Sequence, residues 1–193
     1  MWIPESEQEI LAAIDTGDVS ETANFDGKSA LPGKGKGKDL AVDVAAMTAD
    51  GGTLLYGVAE DENGRLTVPQ PFKLAGARER VDQIVRTSIS EPPAIEVDTI
   101  PTDDDPGLGY LVIVVLPSPR APHMVTVDKD HRYYGRGATG NVRLSEGEVA
   151  RLYERRHRWE VDRNAMLDEA IDPPRKGRKV HRQSRAALVR RSA

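Results

Sequence analysis

The sequence predicts one α+β domain in which helices pack on one face of a mixed, mostly antiparallel sheet. Three observations support this prediction. Apolar residues recur at helical spacing in four segments, apolar or alternating runs mark strands between them, and Gly or Pro residues separate most of these segments. The 193 residues, of which 38% are hydrophobic, provide apolar material for one core.

Four helices are predicted from apolar spacing and from end signals. Ser6 and Glu9 have the spacing of a capping box, and Gly17 follows as a stop signal for an N-terminal extension of the domain. A second capping box joins Ser145 to Glu148. The helices are expected at about residues 5–16, 40–47, 77–89 and 145–158.

Four strands are predicted between or after these helices. The run Tyr110 to Leu116 is continuously apolar, which is typical of a central strand buried on both faces. Gly51 and Gly52 lead the chain into another apolar strand, and residues 62–64 (Glu-Asn-Gly) favour a reversal after it. The strands are expected at residues 53–58, 95–99, 110–116 and 132–135.

The charge distribution divides the chain into residues 1–160, the domain, and residues 161–193, a basic tail expected to be disordered. The formal net charge is -4, but Arg175 to Arg191 hold eight Lys or Arg and no acid. Residues 1–173 therefore hold 19 basic and 31 acidic residues, a net charge of -12. Such an acidic body is not typical of a general polyanion binder, so nucleic-acid contact requires a local basic patch or a metal.

Composition excludes several classes of site. Cysteine is absent, which removes disulfides, thiolate zinc sites and cysteine nucleophiles. No apolar run approaches the roughly 20 residues of a membrane helix, and the acidic N-terminal segment lacks the order of a signal peptide. A cytoplasmic protein without a membrane partner is expected.

Three acids, Glu21, Asp26 and Asp61, are candidates for a shared site. Carboxylate oxygens are the ligands that Mg²⁺ or Mn²⁺ prefers, and such ions serve nucleases. In a chain with 31 acids, three acids chosen by position are more often solvated surface residues, and spacing alone does not favour a shared site.

Two basic segments are candidates for phosphate contact. Lys34, Lys36 and Lys38 alternate with glycines before a predicted helix, where they form either a linker or a backbone contact with nucleic acid. Asp39 follows instead of Ser or Thr, which disfavours a P-loop.

The second basic segment surrounds a predicted strand. Arg132, Tyr134 and Arg136 combine cations with an aromatic ring, a combination that holds phosphates and stacks bases. Alternation along the strand leaves open that a tyrosine belongs to the core. The eight cations of the basic tail favour salt-dependent nucleic-acid contact, and binding of an acidic partner or solubility are the alternatives.

Taken together, these motifs resemble the Schlafen AlbA-type domain over about residues 19–156. The recurrent elements are an early acid, a second acid with Lys two residues later, a double glycine before an apolar strand that ends in acids, a Pro-His step and a Tyr-Tyr-x-Arg-x-Gly strand. They stand here as Glu21, Asp26 with Lys28, Gly51–Val58 with Glu60 and Asp61, Pro122 with His123, and Tyr133–Gly137.

The resemblance implies an activity and a partner. Schlafen ribonucleases use three carboxylates and a divalent metal, Mg²⁺ or Mn²⁺, to cut structured RNA such as tRNA. The matching positions are Glu21, Asp26 and Asp61, with Lys28 steadying the scissile phosphate. Many prokaryotic members are instead described as DNA-binding or regulatory modules.

Departures from the family pattern favour the binding interpretation. Asp26 stands where Glu is usual, Gly27 replaces a larger packing residue, and Thr48 replaces an Asn before the double glycine. The first hypothesis is therefore a nucleic-acid-binding, regulatory module. The alternatives are the metal-dependent endoribonuclease and a nucleotide-binding or protein-interaction scaffold. Vertebrate Schlafen cores contain two such lobes, so a homodimer is expected for a single lobe.

Overall fold

The computed structural model describes residues 1–33, 35–127, 131–137 and 140–171. The chain divides into two compact units, Met1–His157 and Arg158–Ala193. Within these described residues, no helix combines the length and the apolar character that crossing a membrane requires.

The described residues form four helices and eleven strands. The helices are α1 (Glu7–Thr16), α2 (Lys38–Met47), α3 (Ala77–Ser88) and α4 (Glu146–Ile171). The strands are β1 (Phe25–Lys28), β2 (Gly52–Tyr56), β3 (Val58–Glu60), β4 (Leu66–Pro69), β5 (Phe72–Lys73), β6 (Ile89–Ser90), β7 (Ile95–Pro101), β8 (Leu108–Val115), β9 (Met124–Val125), β10 (Arg132–Gly137) and β11 (Gly140–Arg143).

Strand β8 is the centre of the main sheet, as its apolar run predicts. It pairs antiparallel with β2, β5 and β7, and β1 joins the outer side of β2 in parallel. The α+β class and the mixed, mostly antiparallel sheet are therefore confirmed. The other described strands form the sheet β11-β10-β9-β6 and the hairpin β3-β4.

Both faces of the main sheet are covered, because alternate residues of β8 point to opposite sides. Leu111 and Ile113 join the core beneath α2 and α3, whereas Val112 and Val114 join a second core with Ile10 of α1. The expectation that all helices share one face is wrong. Helix α1 packs on the other face, where Leu55, Val112 and Val114 would otherwise be exposed.

The described residues form more strands than the four predicted, and helix α4 is longer than expected. Strand β1 has no apolar alternation of its own and forms by pairing with β2, from Phe25 opposite Thr53 to Lys28 opposite Tyr56. Helix α4 extends to Ile171 rather than about residue 158, because residues 159–171 contain good helix formers and no Gly or Pro. Residues 172–193 of the predicted tail lie outside the described residues.

Candidate functional site

Strand β1 positions the first charged pair of the site. Its neighbour β2 fixes Asp26 and Lys28 on one face, because residues two apart in a strand point to the same side. Asp26 is 1% exposed, and the Lys28 Nζ donates a hydrogen bond to its Oδ1. Burial alone would lower the pKa of Lys28, but the hydrogen bond and charge of Asp26 outweigh it and raise that pKa.

Arg136 of β10 joins this pair to a second carboxylate. Its Nη1 lies 3.2 Å from Asp26 Oδ2, and its Nη2 lies 2.8 Å from Glu21 Oε1 and 3.0 Å from the carbonyl oxygen of Thr22. The side chain is only 6% exposed. A planar guanidinium can bridge two acids in this way, so Arg136 is the central cation of the site.

Glu60, at the end of β3, completes a group of three acids. One carboxylate oxygen from each of Glu21, Asp26 and Glu60 lies within 4.8 Å of the others. Glu60 Oε1 also accepts a 2.8 Å hydrogen bond from the Gly27 N–H at the outer edge of β1. Burial raises the pKa of Glu60 to about 7, although that hydrogen bond opposes the shift.

A further acid approaches from α2. Asn141 Nδ2 donates to Asp43 Oδ1 over 2.6 Å, while Asn141 Oδ1 accepts from Arg136 Nη1 over 3.0 Å. Burial raises the pKa of Asp43 to about 6, although the charge of Lys28 lowers it. The site is therefore a network in which Lys28 and Arg136 oppose four carboxyl groups.

Asp61, predicted as the third acid, has a different position. Its Oδ1 accepts hydrogen bonds from the backbone N–H groups of Arg65 at 3.0 Å and Asn63 at 2.8 Å. These bonds lower its pKa and stabilise the reversal at residues 62–64. The side chain therefore caps a turn, and Glu60 takes the place expected for Asp61. Alternation from the buried Val58 could have identified Glu60, since residues i and i+2 share a face.

The residues predicted to contact nucleic acid do not lie together in the structure. Lys34 lies outside the described residues, and Lys38 is the first residue of α2. Arg132 is exposed on β10, whereas Tyr134 is half-buried. Arg136 contacts carboxylates instead of presenting its guanidinium to solvent, because Glu21 and Asp26 require a cation.

Lys36 and Lys28 line the same cavity, which has a volume of about 420 Å³. Tyr56 and Asn141 add polar groups to its wall, and Asp39 and Asp43 add acids. Helix α2 begins beside it at Lys38, and its N-cap residue Gly37 makes no side-chain hydrogen bond to the first turn. We call this space the lysine cavity.

This α+β domain, with its network of acids around a buried arginine, belongs to the Schlafen AlbA_2 family, whose profile matches residues 21–145. The curated proteins contain no match. One similar solved structure is the solution NMR structure of the N-terminal domain of a protein related to the ATP-dependent DNA helicase RecG, from Nitrosomonas europaea. Its sequence identity is 20% and its TM-score 0.41, covering 74% of this chain and 91% of that one.

Proposed function

We propose that this domain is a nucleic-acid-binding module that contacts the phosphate backbone at the lysine cavity. Membership of the Schlafen AlbA_2 family supports a nucleic-acid partner. The observation that carries the proposal is the placement of Lys28 and Lys36 in one cavity beside the start of helix α2, whose N-cap residue is Gly37. Backbone N–H groups and the helix dipole favour an anion at such a position.

The acids of the cavity limit the strength of this interaction. Asp39 and Asp43 face the same space as the two lysines, so the local charge is balanced rather than strongly positive. We therefore expect modest affinity that falls as salt rises, because phosphate contacts release counterions.

The buried arginine favours binding over catalysis. Arg136 pairs with Glu21 and Asp26, so these acids are neutralised by a cation of the protein itself. Binding of the phosphate backbone of a nucleic acid at the lysine cavity then requires no metal.

Fluorescence anisotropy with tRNA, single-stranded DNA and duplex DNA tests the proposal over a salt series. We expect Lys36→Glu to weaken binding several-fold, whereas Lys73→Glu, at an exposed position of β5, serves as the matched control. Absence of salt-sensitive binding to all three nucleic acids would overturn the proposal. Equal effects of the two variants on affinity would mean that the nucleic acid does not contact the lysine cavity.

The close approach of three acids favours a second candidate, a divalent-metal-dependent endoribonuclease. Glu21, Asp26 and Glu60 would hold Mg²⁺ or Mn²⁺, which stabilises charge on phosphate and activates water when bound. The donors fit these ions, but the metal has to compete with Arg136 for the oxygens of Glu21 and Asp26.

Incubation of structured RNA with Mn²⁺ separates the two candidates. If the endoribonuclease hypothesis holds, Glu60→Gln abolishes cleavage, whereas Asp61→Asn retains it because Asp61 caps a turn. Equal cleavage by all three proteins, or none by the wild type, removes this candidate.

A homodimer remains part of the proposal, because two copies of one lobe can form a groove. Sedimentation velocity over a concentration series tests it. A single monomeric species at all concentrations would contradict it.

A further inference from the structure

A second cavity, of about 270 Å³, lies where α2 ends, beside β10 and the first turns of α4. We call it the helix-end cavity. Ligand pockets usually span roughly 300–1,000 Å³, so this space suits a small group of one ring system.

The walls of the helix-end cavity combine apolar surface with polar edges. Met47, Pro122 and Leu152 supply the apolar part, and the half-buried ring of Tyr134 supplies an aromatic surface. Besides Arg136 and Tyr134, the polar lining residues are Asn24, Thr48, Asp50, Glu148 and Arg151. Three of these groups already bond within the protein, since Asn24 Nδ2 donates to the Gly51 carbonyl oxygen, Thr48 Oγ1 donates to that of Ala45, and Glu148 accepts from Ser145. The exposed Arg151 is the cationic donor of the lining.

Arg136 connects this cavity to the carboxylate network. It lines the cavity, and among the described residues its buried Nε has no hydrogen-bond partner, although both Nη atoms are paired. This nitrogen has almost no exposed surface, so its missing hydrogen bond is a cost within the carboxylate network, and a molecule in the cavity does not reach it. The guanidinium of Arg136 therefore belongs to the carboxylate network, and the cation that the cavity presents to a ligand is the exposed Arg151.

The charge of the lining favours a neutral ligand over a phosphate. The charge of Arg151 acts on Glu148, Asp50 lies 3.9 Å from Arg155, and the two Nη groups of Arg136 already contact carboxylates and an amide oxygen. A flat ring with donors and acceptors on its edge meets all these conditions.

We propose that the helix-end cavity binds one nucleobase, stacked beside Tyr134, with a carbonyl or ring-nitrogen acceptor directed toward Arg151. This inference rests on the proposed nucleic-acid binding and assigns the base-binding part of the same surface. Nucleobase recognition by stacking on aromatic rings is typical of proteins that bind single strands.

The test compares a single-stranded oligonucleotide with an abasic strand of equal length, using DNA or RNA, whichever binds more tightly. We expect loss of the bases to weaken binding by about tenfold, the order expected for one stacked base. Ala23→Trp fills the cavity from its exposed rim and should remove this difference. Ala75→Trp, at an exposed position outside the lining residues, should preserve it.

Each outcome has a separate meaning. Equal affinity for the intact and abasic strands overturns the nucleobase inference and leaves phosphate binding at the lysine cavity intact. A preference for the intact strand that survives in Ala23→Trp also overturns it. Absence of binding to either strand rejects the proposed function and this inference together. Saturation-transfer NMR with free nucleosides provides a second test. We expect saturation transfer from the wild-type protein to a nucleoside and none from Ala23→Trp.

Discussion

At the scale of single residues, Arg136 is the group on which the site depends most. It is 6% exposed and contacts Glu21, Asp26 and Asn141. Its removal leaves Asp26, which is 1% exposed, with Lys28 as its remaining cationic partner. The network is therefore both a structural element and the candidate functional site.

We expect Arg136→Ala to lower the free energy of unfolding by about 3–5 kcal/mol, because removing one partner leaves a buried charge uncompensated. Arg136→Lys should lose less, since an ammonium group keeps the charge although it cannot bridge both acids. Urea denaturation measures both values. Arg86→Ala, which breaks an exposed pair with Asp82, is the control and should change little. A decrease below about 1 kcal/mol for Arg136→Ala would show that the network behaves as a surface pair.

Glu60 gives the domain a dependence on pH. Burial raises its pKa from 4.5 to about 7, so the folded state binds more protons than the unfolded state between these values. Stability is therefore expected to fall as pH rises through this window and then to level off. Asp43, with a pKa raised from 3.8 to about 6, contributes in the same direction.

The variant Glu60→Gln removes one of these two groups while keeping an oxygen that can accept the Gly27 N–H. Relative to the wild type, we expect it to gain stability at about pH 8 and to gain less at about pH 5, where Glu60 is largely protonated in the folded state. Denaturation midpoints at the two pH values provide the measurement. The same difference at both values would assign the effect to packing instead of protonation.

At the scale of elements, the close approach of β3 and β4 to β1 leaves no room for a side chain at residue 27. A Cβ there would lie 2.7 Å from Glu60 Oε1 and 2.8 Å from Leu66 Cδ2. The glycine, which departs from the family pattern, is therefore matched to the position of Glu60.

Gly27→Ala should destabilise the domain by about 1–3 kcal/mol, because overpacking moves Glu60 or Leu66. Gly147→Ala is the control, and we expect it to increase stability. A Cβ there meets no heavy atom within 4 Å, and alanine favours the helix by up to about 1 kcal/mol. Thermal unfolding compares the two variants. A neutral Gly27→Ala would mean that Glu60 can leave β1 without cost.

The same scale shows why sequence patterns predict some elements and miss others. The four helices and the central strand β8 follow from local periodicity, which each segment carries in its own residues. Strand β1 consists of four residues with a buried aspartate at its second position, and its pairing with β2 is non-local. Local pattern cannot identify such a strand.

The residues of the candidate site also divide into those that the sequence identifies and those that it does not. Motif order identifies Glu21 and Asp26, and both lie in the carboxylate group. The contact from Arg136 to Asp26 joins residues 110 positions apart, and no spacing rule predicts it. Motif order also favours Asp61, which follows Glu60 at the end of the strand, but turn formation determines the direction of its side chain.

At the scale of the whole molecule, the charge is divided between an acidic body and a basic end. Residues 1–173 have a net charge of -12, and Arg175 to Arg191 contain eight basic residues without an acid. If the domain binds nucleic acid as proposed, we expect its long-range attraction to depend on these eight cations more than on the body, and the lysine cavity to determine where the strand is held.

Ending the chain after Ile171 should consequently weaken nucleic-acid binding and make the dependence of log K on log salt shallower, by about 0.7–0.9 for each phosphate that the protein no longer neutralises. Anisotropy titrations over a salt series measure this slope. A full-length variant in which the eight cations from Arg175 to Arg191 become glutamine separates charge from chain length. We expect it to match the truncated protein. If it instead keeps the wild-type slope, these residues do not contact phosphates, and the counterions are released at the lysine cavity alone.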